Sequence, residues 1–169
     1  MKYRTFVIAL SIAAALPVPA ADAERYRLKE ETRNFLGFNV GNPEGNAEYV
    51  LPFDKPYEQL SAKHQHLLKE FYVEMGETDE PPFPVGGLKA LYEPITEGQQ
   101  RLMTSGSFNA DVEIDAHGNP IALAVYRSPN KAVTRFVSRV VMLTKFKPAL
   151  CAGSPCKMGF PVRVNFVGR

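Results

Sequence analysis

Between Phe108 and Asp115 apolar and polar side chains alternate one for one, with Phe108, Ala110, Val112 and Ile114 set against Asn109, Asp111, Glu113 and Asp115. A period of two puts each set on its own face, which predicts a strand with one buried and one wet side. His117-Gly118-Asn119-Pro120 supplies a turn, and Ile121, Leu123 and Val125 resume the alternation, so the two strands form an antiparallel hairpin. Ser128-Pro129 then has the form of a cap followed by proline in a first turn. Val133, Phe136, Val137, Val140, Val141 and Leu143 recur at helical period, opposite Lys131, Arg135 and Arg139. In the last strand Met158, Phe160, Val162, Val164 and Phe166 alternate with Gly159, Pro161, Arg163 and Asn165. Pro161 has no N–H to donate to a ladder, which places this strand at an edge of the sheet. Strand, strand, helix, strand is an α+β unit: an antiparallel three-stranded sheet with a helix packed on one face.

Upstream the pattern is coarser. From Glu24 to about Asp54 the chain is polar and rich in Gly and Asn, with neither period sustained, which predicts loop. Asp54 is placed to cap a helix opening near Pro56, because Tyr57, Leu60, His64, Leu67, Leu68, Phe71 and Met75 recur three and four apart until Gly76. The acidic, Pro-rich run Glu77 to Pro84 forms a boundary. Gly86-Gly87 then precede a second helix bearing Leu88, Leu91, Ile95 and Leu102, which Pro94 kinks or divides. One or two helices thus precede the sheet.

The first 23 residues stand apart. Lys2 and Arg4 precede an apolar run from Phe6 to Leu16, then Pro17, Pro19 and Ala21-Asp22-Ala23, the layout of a secretory signal peptide with Glu24 first after cleavage. The run falls short of the roughly 20 residues that span a bilayer; an uncleaved inner-membrane anchor is the other reading of the same segment. The chain therefore divides into a signal peptide at 1–23, a loop and amphipathic helix at 24–80, and the sheet domain at 81–169. Export makes the location periplasmic. It also places Cys151 and Cys156 in an oxidising compartment, on either side of an Ala-Gly-Ser-Pro turn, and predicts a disulfide.

Composition narrows the functions. At 169 residues and 18.8 kDa there is room for one ordinary domain. Twenty basic against 18 acidic side chains lack the footprint of a nucleic-acid binder. Removing the leader leaves 18 of the basic and 17 of the acidic ones. Among the three histidines, His64 and His66 lie about 200° apart around a helix and cannot share a metal, and His117 occupies a turn. Asp111, Glu113 and Asp115 line a sheet face that solvent or a basic partner would meet. Lys145, Lys147 and Arg163 offer a small basic patch. No phosphate loop, nucleophile elbow or zinc signature occurs, so no enzyme, cofactor, metal or small-molecule substrate is expected.

Pro82-Phe83-Pro84, the turn Asp115-Ala116-His117-Gly118, Ser128-Pro129, Phe146-Lys147-Pro148-Ala149, Gly153, Pro155, Pro161-Val162 and Phe166 follow one another in an order that resembles the C-terminal domain of TonB, over roughly 81–166. The resemblance implies a β-β-α-β domain that lends a sheet edge to the TonB box, a short extended segment of an outer-membrane TonB-dependent receptor, by strand addition in energised transport. Carried onto this chain it nominates Phe160, Pro161, Val162, Arg163, Val164, Asn165 and Phe166 as the partner-binding strand. Val162, Val164 and Phe166 would point into the core, and Arg163 and Asn165 towards solvent or the partner. The long Pro-rich spacer of a complete TonB is not evident in Glu77 to Pro84, and contact with ExbB and ExbD would require an uncleaved N-terminus. An envelope structural or assembly factor with a TonB-like fold and no energy transduction is the alternative function.

Overall fold

The computed structural model describes residues 25–29, 38–39 and 51–167; the signal peptide expected at 1–23 lies outside them. The elements, in chain order, are β1 (Phe38–Asn39), α1 (Ala62–Lys69), β2 (Phe83–Pro84), α2 (Gly87–Leu102), β3 (Gly106–Ile114), β4 (Pro120–Arg127), α3 (Lys131–Leu143), β5 (Phe146–Lys147), β6 (Ala149–Cys151), β7 (Ser154–Cys156) and β8 (Met158–Phe166). β8, β3 and β4 are antiparallel neighbours, and β1 joins the far side of β8 in parallel. The protein is thus mixed α+β with a three-stranded antiparallel sheet at its centre.

The alternation read from β3 is realised. Phe108, Ala110, Val112 and Ile114 are fully buried, and each lies opposite an inward residue of β8: Val164, Val162, Phe160 and Met158. Val133, Val137 and Val141 of α3 are buried in the same core, each contributing about 1.5–3 kcal/mol. α2 packs on α3 so closely that the Phe136 ring fills the space a side chain at Gly98 would take. Phe160 anchors the far end, edge-on to Phe83 with ring centroids 6.3 Å apart and tilted against Phe146 at 5.5 Å.

Capping decides where the helices begin. The continuous helix expected from Pro56 to Gly76 is broken: Tyr57–Gln59 forms one 3-10 turn, Leu60 is extended, and α1 starts only after Ser61, whose hydroxyl accepts from the His64 N–H. Ser61, not Asp54, is the cap. α3 likewise opens two residues later than the Ser128-Pro129 reading, because Asn130 Oδ1 accepts from the N–H groups of both Ala132 and Val133. Pro94 neither ends nor divides α2, which runs through it to Leu102.

Turns carry the remaining constraints. The Asp115 carboxylate accepts from the N–H groups of His117 and Asn119, both at 2.8 Å. These bonds, led by Asn119, hold its carboxyl below the usual range. Gly118 sits at φ +80°, and a side chain there would run into the Phe146 carbonyl. Ala152 (φ 48°) and Gly153 (φ 78°) form the two-residue turn between β6 and β7. Cys151 and Cys156 are disulfide-bonded with Cα atoms 5.8 Å apart, as expected.

Described residues before position 80 belong to the same hydrophobic cluster: Tyr26, Leu51, Tyr57, Leu60, Leu68, Phe71 and Tyr72 are all buried in it. Residues 25–29 run antiparallel to 71–74, with Lys29 N–H donating to the Phe71 carbonyl and Val73 N–H to that of Arg27. Asp79 knots the region, accepting from Gly76 N–H at 2.6 Å, Ala152 N–H at 2.7 Å and the Tyr26 hydroxyl at 3.4 Å. Burial alone would raise its carboxyl. The N–H donors of Ala152 and Gly76, with Arg25 and Tyr26, outweigh that and hold it below its ordinary value.

Candidate functional site

The nominated strand, β8, pairs with β3 without a break from Met158↔Ile114 to Phe166↔Gly106. Among the described residues its other edge meets β1 at Phe38↔Val164 and Asn39↔Asn165, and the pairing there is parallel. In a strand, residues two apart aim their backbone N–H and C=O groups to the same side. The Gly159 carbonyl accepts from the Tyr72 hydroxyl at 2.8 Å, and the Arg163 N–H donates to the Tyr92 hydroxyl at 3.5 Å. Gly159, Pro161, Arg163 and Asn165 therefore turn their backbone groups outward, and the donor that Pro161 lacks is missing from this edge rather than from the β3 ladder.

Burial raises both phenols. Tyr72 is driven above its ordinary value, with the charge of Asp111 adding to the effect. Tyr92 is pushed up to about 12 by burial, tempered by its bond to Arg163 and by that guanidinium. Both hydroxyls keep their protons at any pH the protein meets, so Tyr72 remains a donor to the edge. Beyond the strand, Gln99 Nε2 donates to the Val167 carbonyl at 2.8 Å.

The side chains of the seven nominated residues sort by face. Phe160, Val162, Val164 and Phe166 point into the core, as their period predicts. Pro161 is buried on the opposite face. Arg163, expected to face solvent or a partner, is 1% exposed. Its guanidinium donates to Asp111 Oδ1 at 2.7 Å, to the Val162 carbonyl at 3.1 Å and to the Ala110 carbonyl. The reason lies upstream: Leu28 and Tyr72 lie against Gly159 on that face, and Tyr92 reaches the Arg163 backbone. Only Asn165 is partly open, and its Oδ1 accepts from the Ser107 hydroxyl at 2.8 Å.

The basic patch does not assemble. Lys147 pairs with Glu80 at 2.9 Å and lies 4.7 Å from the centre of the Tyr57 ring, Lys145 reaches Asn119, and Arg163 is inside. Asp111 is likewise drawn out of the expected acidic row by Arg163, and Glu113 pairs with Lys157. His64 bonds Ser61 and His66 lies 3.4 Å from Glu70 on α1. Among the described residues no group of three or more His, Cys, Asp and Glu side chains is placed to hold a metal, and no helix is long and apolar enough to cross a membrane. A cavity of about 10 Å³ beside β8, between Leu51, Tyr72, Tyr92, Phe160 and Pro161, is apolar and the size of one water molecule. The site's chemistry is that of backbone hydrogen bonding along an edge.

Sequence reasoning missed the Arg163–Asp111 pair, the two tyrosines on the edge and the Asp79 knot. Their one advance signal was an arginine at a position flanked by buried valines. No protein-family model matches the sequence, and no curated protein or solved structure matches it.

Proposed function

We propose that this chain is an exported, periplasmic interaction module of the TonB type, which takes an extended segment of an outer-membrane TonB-dependent transporter as an added strand along β8. The observation that supports the reading is the parallel pairing of Phe38–Asn39 with Val164–Asn165: the outer edge of β8 accepts an extended segment, which among the described residues covers only part of it. The incoming strand takes the place of Phe38–Asn39 and competes with the Tyr72 and Tyr92 hydroxyls for Gly159 and Arg163. Specificity on such an edge comes from side chains, while the main chain supplies affinity.

Competition gives the test. Phe38→Pro removes the β1 N–H that faces the Arg163 carbonyl in this parallel register, and a ladder hydrogen bond lost there is worth about 0.5–1.5 kcal/mol, so a transporter's TonB-box peptide should bind the variant about 2- to 10-fold more tightly than the wild type. Titration of the 24–169 protein by calorimetry reads this directly. Absence of binding by both proteins, or equal affinity for both, would remove the proposal.

A further inference from the structure

We propose that β4, the opposite edge of the sheet, is the interface of a two-fold dimer of this chain. β4 has β3 on one side and no strand among the described residues on the other. From Pro120 to Tyr126 it carries no charged side chain, and Ile121 (48%), Val125 (37%) and Tyr126 (51%) are exposed. Strands that stay unpaired in monomers are usually guarded by lysine, an inward charge or proline along their length; here Pro120 guards only the first position. The ladder with β3 shifts register at Asn109/Ala110 and at Glu113/Ile114, so a regular stretch, Ala122 to Val125, is bracketed by irregular ends.

A second copy fits this edge by symmetry. In an antiparallel pair, residues directly opposite lie on the same face, so the axis of a two-fold pairing must pass through a residue rather than between two. Centring it on Leu123 sets Leu123 against the partner's Leu123 and Ala122 against the partner's Ala124, and brings Ile121, at the bulged end, beside the partner's Val125. Every opposed pair is apolar, and Arg127 falls outside the paired stretch, so no like charges meet. The helix-side apolar face then continues across the axis from one sheet to the other. Three regularly paired residues per chain, with Ile121 and Val125 at the margins, form a small interface, below about 1,200 Å², which makes the dimer concentration-dependent. Because β3 separates β4 from β8, the dimer leaves the β8 edge untouched and is independent of the function proposed for it.

Sedimentation velocity on the 24–169 protein, from low to high micromolar concentration, tests the interface. The wild type should pass from monomer to dimer. Leu123→Lys and Leu123→Glu should each weaken self-association at least tenfold by placing like charges on the axis, and an equimolar mixture of the two should restore a dimer. Thermal melts establish that both variants fold; should they not, Val125→Lys at its more exposed position gives the same loss of dimer. A wild type that stays monomeric throughout, or folded Lys and Glu variants whose mixture fails to associate, would overturn the proposal, and the first of these outcomes would leave β4 to an extended segment of another protein.

Discussion

Removing either partner of the Arg163–Asp111 pair should have unequal consequences, because the two are unequally buried. The Arg163 side chain is 1% exposed and that of Asp111 17%. Asp111→Ala leaves the guanidinium inside with the Ala110 and Val162 carbonyls as its remaining acceptors and with Nε already lacking a partner. Stranding a buried charge in this way costs about 3–5 kcal/mol, a large share of the roughly 5–15 kcal/mol that holds a domain folded. Arg163→Met removes the cation but keeps most of the side-chain volume, and Asp111 turns to solvent on its open side. That loss is about 1–2 kcal/mol, chiefly the charged hydrogen bond. The double variant should unfold close to Arg163→Met alone, giving a coupling about equal to the whole Asp111→Ala loss, about 3–5 kcal/mol. Urea unfolding at neutral pH, with m-values compared to confirm an unchanged denatured state, yields all three numbers. Additive losses, or Arg163→Met costing more than Asp111→Ala, would refute the argument that burial of the guanidinium sets the penalty.

Other consequences follow from the knots and turns. The Asp79 carboxyl is held below its ordinary value of 3.8 in the fold, so its contribution is complete above that pH and is lost as pH falls through the lower folded value. Asp79→Asn should cost about 1–3 kcal/mol at neutral pH, and the gap from wild type should close in acid, as read from urea midpoints at several pH values; a gap constant with pH would contradict this. Gly118→Ala combines a left-handed backbone, φ +80°, with a clash against the Phe146 carbonyl, and should lower stability by about 1–3 kcal/mol in a thermal melt. Reducing Cys151–Cys156, whose sequence separation is 5, opens a short loop worth about 2 kcal/mol; the folded protein should persist with a lower midpoint, and complete unfolding on reduction would show a larger role.

The elements legible in the sequence were those whose period and burial agree. β3 alternates without exception because one face meets α3, and the valines of α3 recur at helical spacing because they meet that same face. Helix starts were misplaced by choices among capping residues: Ser61 over Asp54 and Asn130 over Ser128 are settled by which side chain reaches the second and third N–H groups, which composition does not reveal. Arg163 was misjudged because alternation says only which face a side chain takes. That the second face of β8 is covered depends on Tyr72, Leu28 and Tyr92, from 71 to 135 positions away along the chain. β2 and β5, two residues each, are too short for any period to declare. The edge position read from Pro161 holds only in part: β1 pairs with the outer side of β8 at Val164 and Asn165, while the donor that Pro161 lacks faces away from the β3 ladder.

Amide exchange along β8 tests that edge most directly. The 24–169 protein, alone and with a transporter's TonB-box peptide, is followed residue by residue by NMR. Strand addition at β8 should slow exchange of the outward-facing Arg163 and Asn165 amides on binding and leave β4 unchanged. Protection that appears on β4 instead, or nowhere on the sheet, would contradict the assignment of β8 as the docking strand.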